Sequence, residues 1–209
     1  LGLPKDKFRF RPIPDEEKSH YAKLQADFEF QSSSGKWFEL SPLNHRGDWD
    51  LSRHQEYSGQ NMSYTNPQTG DKFIPNVIEI SFGLNRLLYT LLDNALTQEE
   101  DRTVLKLSPK IAPYQVAVFP LVKNTPDLVA KAQEVRELLL DSKIRTTWDQ
   151  RGNIGKHYLS QDEIGTPSCV TVDYQTLEDN TVTVRDRDTK QQERIAVDQL
   201  VSYFQKLLK

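Results

Sequence analysis

The run Glu79-Ile80-Ser81-Phe82-Gly83-Leu84-Asn85-Arg86 gathers the residue types from which a binding site can be made. Alternation along an extended segment would set the Glu79 carboxylate and the Ser81 hydroxyl on one face. Gly83 lets a ligand approach the backbone closely. Arg86 falls in the first turn of a helix, where a guanidinium and free amide N–H groups can meet a phosphate. The chemistry is recognition of a cationic group by a carboxylate beside an anion held by arginine. An ordinary ion pair between Glu79 and Arg86 at a strand end would account for the same residues without a ligand. A second candidate is Gly152-Asn153-Ile154-Gly155-Lys156-His157-Tyr158, with Arg151 just before it. Small residues lead there into a helix, and two cations and an aromatic ring suit phosphate contact and base stacking, or else a solvated loop.

Other reactive types lead nowhere. Cys169, the one cysteine, sits in the apolar run Cys169-Val170-Thr171-Val172 and reads as a buried, inert thiol. His45 and His54 lack the companions of a metal site, and no metal ligand set is expected.

Positioning these residues requires strands and helices of recognisable pattern. A strand over residues 76–82 should feed a helix carrying Leu84, Leu87, Leu88, Leu91, Leu92 and Ala95, whose broad apolar face predicts packing against a sheet. Residues 37–40 read as a short strand. Beyond them, residues 115–121, 144–148, 168–172 and 181–186 read as strands. Residues 127–142 form an amphipathic helix capped by Thr125-Pro126, and Val197 to Leu208 marks a closing helix. The Arg185-Asp186-Arg187-Asp188 run reads as a salt-bridge lattice at a strand end rather than a contact surface.

The 209 residues are 36% hydrophobic and 27% charged, with 11 prolines, as in ordinary globular chains, and no apolar run is long enough to span a bilayer. The net charge of −3 argues against indiscriminate polyanion binding. From Lys106 onward there are 15 Lys and Arg against 14 Asp and Glu, so the acidity lies in the first half and a local basic face remains possible in the second. The polar stretch Gln98-Glu99-Glu100-Asp101-Arg102 and the prolines after it predict a domain boundary near Leu105, dividing residues 1–105 from 106–209.

Longer motifs add a family. Pro75-Asn76-Val77-Ile78-Glu79-Ile80-Ser81-Phe82-Gly83-Leu84-Asn85-Arg86 resembles motif 3 of glycyl-tRNA synthetases, P-x-V-I-E-P-S-F-G-L-x-R, with Ile80 in place of proline. Phe8-Arg9-Phe10-Arg11, His20-Tyr21-Ala22, Asp27-Phe28-Glu29 and the run from Arg46 to Gly59 follow the family's order. So do Arg102-Thr103-Val104-Leu105-Lys106-Leu107, Gln161-Asp162-Glu163-Ile164-Gly165-Thr166-Pro167 and Val184-Arg185-Asp186-Arg187-Asp188. The resemblance covers essentially the whole chain. It implies an α/β architecture, namely the antiparallel sheet of a class II catalytic domain (α+β) followed by a mixed-sheet anticodon-binding domain.

The implied activity is glycine–tRNA ligation with ATP and Mg2+, the latter as the ATP complex. The implied partners are glycine and tRNA-Gly, in a homodimer of the full-length enzyme, in the cytoplasm or an organelle and away from membranes. A non-catalytic synthetase-like RNA-binding subunit is the alternative. Carried over position by position, Glu79, Ile80, Ser81, Phe82 and Gly83 bind glycine, and Glu39, Leu40, Gly83, Leu84, Asn85 and Arg86 bind ATP. Arg86 is the catalytic arginine, and Arg151, Lys156 and Tyr158 meet tRNA. The family's G-E-L-E-G-I-A-N-R reads here Phe38-Glu39-Leu40-Ser41-Pro42-Leu43-Asn44-His45-Arg46, so a serine and a proline replace a carboxylate and a glycine. Motifs 1 and 2 are expected ahead of Leu1, as in an internal piece of a longer protein.

Overall fold

A computed structural model describes residues 2–149 and 153–208. The chain divides into two compact units, one of Leu3–Asn94 and one of Ala95–Lys209 with Leu1–Gly2. The second unit thus begins ahead of the boundary expected near Leu105.

In Leu3–Asn94 the elements are β1 (Phe8–Pro12), β2 (Leu24–Gln31), β3 (Trp37–Gly47), α1 (Trp49–Ser58), the short pair β4 (Tyr64–Thr65) and β5 (Lys72–Phe73), β6 (Val77–Ile80) and α2 (Leu84–Ala95). β1-β2-β3-β6 form an antiparallel sheet in that order. Its pleat sorts residues cleanly. Phe8, Phe28, Phe30 and Phe38 share one face and touch at ring separations of 5.2 to 5.5 Å, while Arg9, Arg11, Asp27 and Glu29 share the other.

β3 is far longer than the four residues expected. Its register against β2 slips between Phe28 and Glu29, so Leu40 and Ser41 form a bulge just ahead of Pro42. A bulge is where a strand tolerates proline, and it also breaks the alternation by which a strand is recognised. The expected packing of α2 needs a larger correction. Leu87 and Leu91 are half-buried and Thr90 is buried, but Leu84, Leu88 and Leu92 stand in water, with Leu84 78% exposed.

In the second unit, β7 (Leu96–Gln98) and β8 (Thr103–Leu105) form a hairpin. There follow β9 (Val116–Pro120), α3 (Pro126–Asp141), β10 (Thr146–Trp148), α4 (Ile154–Ile164), β11 (Ser168–Val172), α5 (Tyr174–Asp179), β12 (Thr181–Asp186), β13 (Gln192–Ala196) and α6 (Leu200–Leu207). The sheet order is β10-β9-β11-β12-β13, parallel across the first three and antiparallel beyond. β9 and β11 are buried on both faces and so read as mostly apolar runs without a polar face. Leu128, Ala132, Val135 and Leu139 of α3 join Val116, Val118, Val170, Leu200 and Phe204 in the main core. Ala117, Phe119 and Cys169 pack on the other face with Ile154 and Tyr158 of α4. Thr125 precedes α3 without a capping hydrogen bond from its side chain, so the proline in the first turn carries that start.

Candidate active site

The polar sheet face of Leu3–Asn94 brings Glu39 and Glu79 of the expected residues to one surface. Registered pairing gives three rows: Arg11, Asp27 and Pro42; Arg9, Glu29 and Glu39; Gln25, Asn44 and Glu79. Residues directly opposite on paired strands point to the same side, so four carboxylates and two arginines share this surface.

Glu79 is held firmly. Arg46 NH1 donates to its Oε2 at 2.6 Å and Asn44 Nδ2 at 3.3 Å. These two hydrogen bonds, Arg46 first, hold the Glu79 carboxyl below the usual carboxylate range, so it is anionic at neutral pH. Arg46 is itself locked. Its Nε and NH2 reach both oxygens of Asp50 at 2.6 and 2.7 Å, and its guanidinium lies 4.0 Å over the Tyr21 ring. The partner of Glu79 is therefore Arg46, not Arg86.

Arg86 bonds instead to Glu39, its NH1 donating to the backbone carbonyl at 2.9 Å and to Oε1 at 2.8 Å. Both side chains are well exposed, at 54% and 38%, and a pair so hydrated is weak enough to be exchanged for a phosphate. Gly83 is not demanded by the chain's own packing, since a Cβ there would meet Arg86 at an ordinary 3.5 Å. Its carbonyl accepts from the Leu87 amide at 3.0 Å, so Gly83 also serves the start of α2. Ser81 lies just past the end of β6 and is exposed, as are Ile80, Phe82, Leu84 and Asn85. Leu40 is buried, so only its backbone can face a ligand.

Asp27 completes the face and was not singled out as a site residue from the sequence. It is buried, its Oδ1 has no hydrogen-bond partner, and Arg11 NH1 comes only to 3.9 Å of Oδ2. Burial, and then the charges of Glu39 and Glu29, raise its carboxyl above the usual value. Asn44 likewise leaves a buried Oδ1 unpartnered. Arg46, Asn44 and Asp27 escaped sequence reasoning because register brings them to Glu79 and Glu39. The one local signal was the Arg46 to Asp50 spacing at the start of α1.

The second candidate fares differently. Asn153 caps α4 by accepting from the Lys156 amide at 3.0 Å, leaving the Lys156 side chain exposed. Tyr158 is engaged: its hydroxyl meets Thr171 Oγ1 at 2.7 Å and Arg185 lies 4.8 Å from its ring centre. That ring belongs to the domain's interior and is not free to stack on a base, contrary to expectation. Arg151 lies outside the described residues. His157 stacks on Phe119 at 4.7 Å, and burial lowers its pKa. Among the described residues no group of three or more His, Cys, Asp or Glu is placed to hold a metal.

Three widely separated motifs meet in one buried cluster. Asp162 of α4, with no exposed surface, accepts from Arg102 NH1 at 2.6 Å and from both terminal nitrogens of Arg185 at 2.9 and 3.0 Å. Arg187 NH1 donates to the carbonyls of Leu105, Leu107 and Gly165. The expected strand-end lattice is therefore a latch that ties β8, α4 and β12 together.

Comparison with known proteins agrees with this architecture. Residues 115–207 match the family model described as the anticodon binding domain. The chain is 44% identical over 209 residues to a glycine–tRNA ligase of Mycoplasmopsis synoviae, covering 98% of this chain and 46% of that protein. The Caldanaerobacter subterraneus glycine–tRNA ligase is 44% identical over 100% of this chain and 45% of its own length, and that of Thermobifida fusca is 43% identical over 98% and 46%. The chain thus spans about half the length of the curated relatives it matches. Both the antiparallel portion, with the run from Pro75 to Arg86, and the mixed-sheet domain fall within those matches.

Proposed function

We propose that the chain supplies the glycine and motif 3 side, together with the anticodon-binding domain, of a glycine–tRNA ligase that joins glycine to tRNA-Gly at the expense of ATP. The observation that carries this reading is the sheet face itself. An anionic Glu79, fixed by Arg46 and Asn44, stands on the same surface as Glu39 and its exchangeable partner Arg86.

In the first step the glycine carboxylate attacks the α-phosphorus of ATP and pyrophosphate departs. Glu79 holds the ammonium, and Ser81 and Phe82 crowd the α-carbon, because selecting the smallest amino acid depends on rejecting every larger one. Arg86 leaves Glu39 for the phosphates and neutralises charge as it develops, while Mg2+ arrives with ATP. In the second step a hydroxyl of the terminal ribose attacks the glycyl carbonyl and AMP leaves. Residues 115–207 would grip the anticodon end of the tRNA, with the exposed Lys156 among the phosphate contacts and Arg151 beside it in sequence. Such an enzyme works in the cytoplasm or an organelle as a homodimer, and among the described residues no helix is long and apolar enough to cross a membrane.

Calorimetry with a non-hydrolysable glycyl-adenylate analogue, on a polypeptide completed to the relatives' length, tests the reading. Binding that Glu79→Gln and Arg86→Ala each weaken by tenfold or more supports it. No binding, with tRNA affinity intact, would favour a non-catalytic RNA-binding subunit.

A further inference from the structure

A cavity of about 270 Å³ opens within Ala95–Lys209, where the turn joining β12 to β13 meets α6. We propose that it holds a guanidinium group, gripped by the carboxylates of Asp186 and Glu193 and seated on the Ser168 hydroxyl. The assignment is independent of the ligase reading, because none of these residues belongs to the sheet face that carries Glu79.

Strand register builds the site. Ser168 opens β11 directly opposite Asp186 at the end of β12, and Val184 stands opposite Glu193 of β13, so these four residues share one side of the sheet. Tyr203 of α6 closes that side, its hydroxyl donating to Glu193 Oε1 at 2.7 Å. Burial, and then Glu193, push Tyr203 up to about 12, so at neutral pH the tyrosine keeps its proton and Glu193 is the acceptor. Asp186 is fixed as firmly. Its Oδ1 accepts from the amide and the hydroxyl of Thr189 at 2.8 Å each and from the Asp188 amide at 3.0 Å. Each carboxylate thus uses one oxygen to hold its own position. The other oxygens, Asp186 Oδ2 and Glu193 Oε2, have no hydrogen bond among the described residues.

The charge is uncompensated. No lining side chain is basic, and the cations of the β12 to β13 hairpin are engaged elsewhere, Arg187 with Asp188, Lys190 with Asp101 and Arg194 with Asp173. Two like charges facing one small cavity favour a cation between them. Ser168 is the independent sign. It is 2% exposed and lines the cavity, and among the described residues its hydroxyl has no partner, a state in which buried polar groups are seldom left. Two carboxylate oxygens and a hydroxyl call for a cation with several donors. Guanidinium offers a planar fork of them, and its flat face can lie against the Tyr203 ring. A metal ion suits the cavity less well, since among the described residues no group of three or more His, Cys, Asp or Glu is placed to hold one. A nucleotide suits it less well too. Pockets that enclose drug-sized ligands run to about 300–1,000 Å³, and a phosphate here would face two carboxylates.

The test follows the backbone amide resonances of Thr189, Gln191 and Glu193 in the full chain by NMR as N-acetyl-argininamide is added at low salt. They should shift saturably with the arginine compound, more weakly with N-acetyl-lysinamide and not with the uncharged citrulline analogue. Asp186→Asn and Glu193→Gln each keep the oxygen that accepts the internal hydrogen bonds, so the hairpin should stay folded. Each should weaken binding by about tenfold, and the two together should abolish it. Ser168→Ala should weaken it by roughly threefold. Tighter binding of agmatine than of an acetylated Gly-Arg-Gly amide assigns the site to a free guanidino compound, and the reverse order assigns it to an arginine of a protein partner. The absence of saturable shifts with N-acetyl-argininamide overturns the proposal, as does equal binding by the citrulline analogue or by the doubly substituted chain. Shifts of the same amides with an RNA hexanucleotide and with no guanidino compound would overturn it in favour of nucleic acid.

Discussion

The two units use charge in opposite ways. Ala95–Lys209 completes a core of some fifteen apolar side chains and seals Asp162 between Arg102 and Arg185, charges that tie β8, α4 and β12 together. Within Leu3–Asn94, Phe30 and Leu40 are the apolar side chains buried among the described residues, while the buried Asp27 and Glu29 share a sheet face with the half-buried Glu39 and Glu79. The edge strand β6 and the helix after it also leave Ile78, Ile80, Leu84, Leu88 and Leu92 exposed. A unit that completes its own core can bury ions as fasteners. A unit that does not leaves charged and apolar surface for contacts its own residues do not provide.

The sharpest way to break this contrast is to separate the units. Ala95–Lys209 expressed alone should unfold cooperatively, whereas Leu3–Asn94 alone should bind a hydrophobic dye and melt without a cooperative transition. A sharp melt of Leu3–Asn94 would end the comparison. Starting the second unit at residue 106, as the sequence suggested, removes Arg102 and leaves Asp162 to Arg185 alone. Calorimetry should find that shorter polypeptide less stable than Ala95–Lys209 by about 3 kcal/mol or more.

Within the longer unit, Asp162→Asn removes the charge that two buried guanidinium groups face. Denaturant titration should register a loss of about 3–5 kcal/mol, the usual consequence of breaking one side of a buried pair. A loss below about 1 kcal/mol would mean that solvent reaches the latch. Gly165→Ala is the gentler probe. Gly165 ends α4 at φ +84°, and a Cβ there would stand 2.8 Å from the Leu105 carbonyl oxygen, one of the acceptors of Arg187. A cost of about 1–3 kcal/mol is expected, and a neutral result would show that the β8 to α4 contact yields easily.

The same contrast governs what the sequence disclosed. Strands β9 and β11 were legible within a residue or two because burial on both faces leaves mostly apolar runs, and β12 because it opens with threonine alternating with buried valine. In the first unit the resemblance located Glu39, Glu79 and Arg86, but β1 and β2 passed unread as strands, and the bulge at Leu40 and Ser41 hid most of β3. Apolar periodicity in α2 marked a helix correctly and misled about its packing, because periodicity reports a face without saying what covers it. Pairings such as Arg46 with Glu79, Arg102 with Asp162 and Tyr158 with Thr171 span a dozen residues or more and depend on register and topology, which no local spacing encodes.

The smallest expected effect bears most directly on whether the open unit's charges serve a ligand. Asp27 is buried with one oxygen unpartnered, and burial raises its carboxyl in the folded protein above the 3.8 of a free side chain. A carboxyl that holds its proton more tightly when folded opposes folding once it is ionised. The cost is therefore absent well below pH 3.8 and grows as pH rises through that value and the raised one. Asp27→Asn removes it, so amides of β2 should exchange more slowly at pH 7, by a protection gain under about 1 kcal/mol, and the gain should fade in acid. If the charge is kept for function, the same variant in the completed enzyme should bind the glycyl-adenylate analogue more weakly despite its stiffer sheet. Tighter sheet and undiminished ligand affinity together would mean that Asp27 serves neither the fold nor the site, and the contrast between fastening and ligand-facing charge would not extend to it.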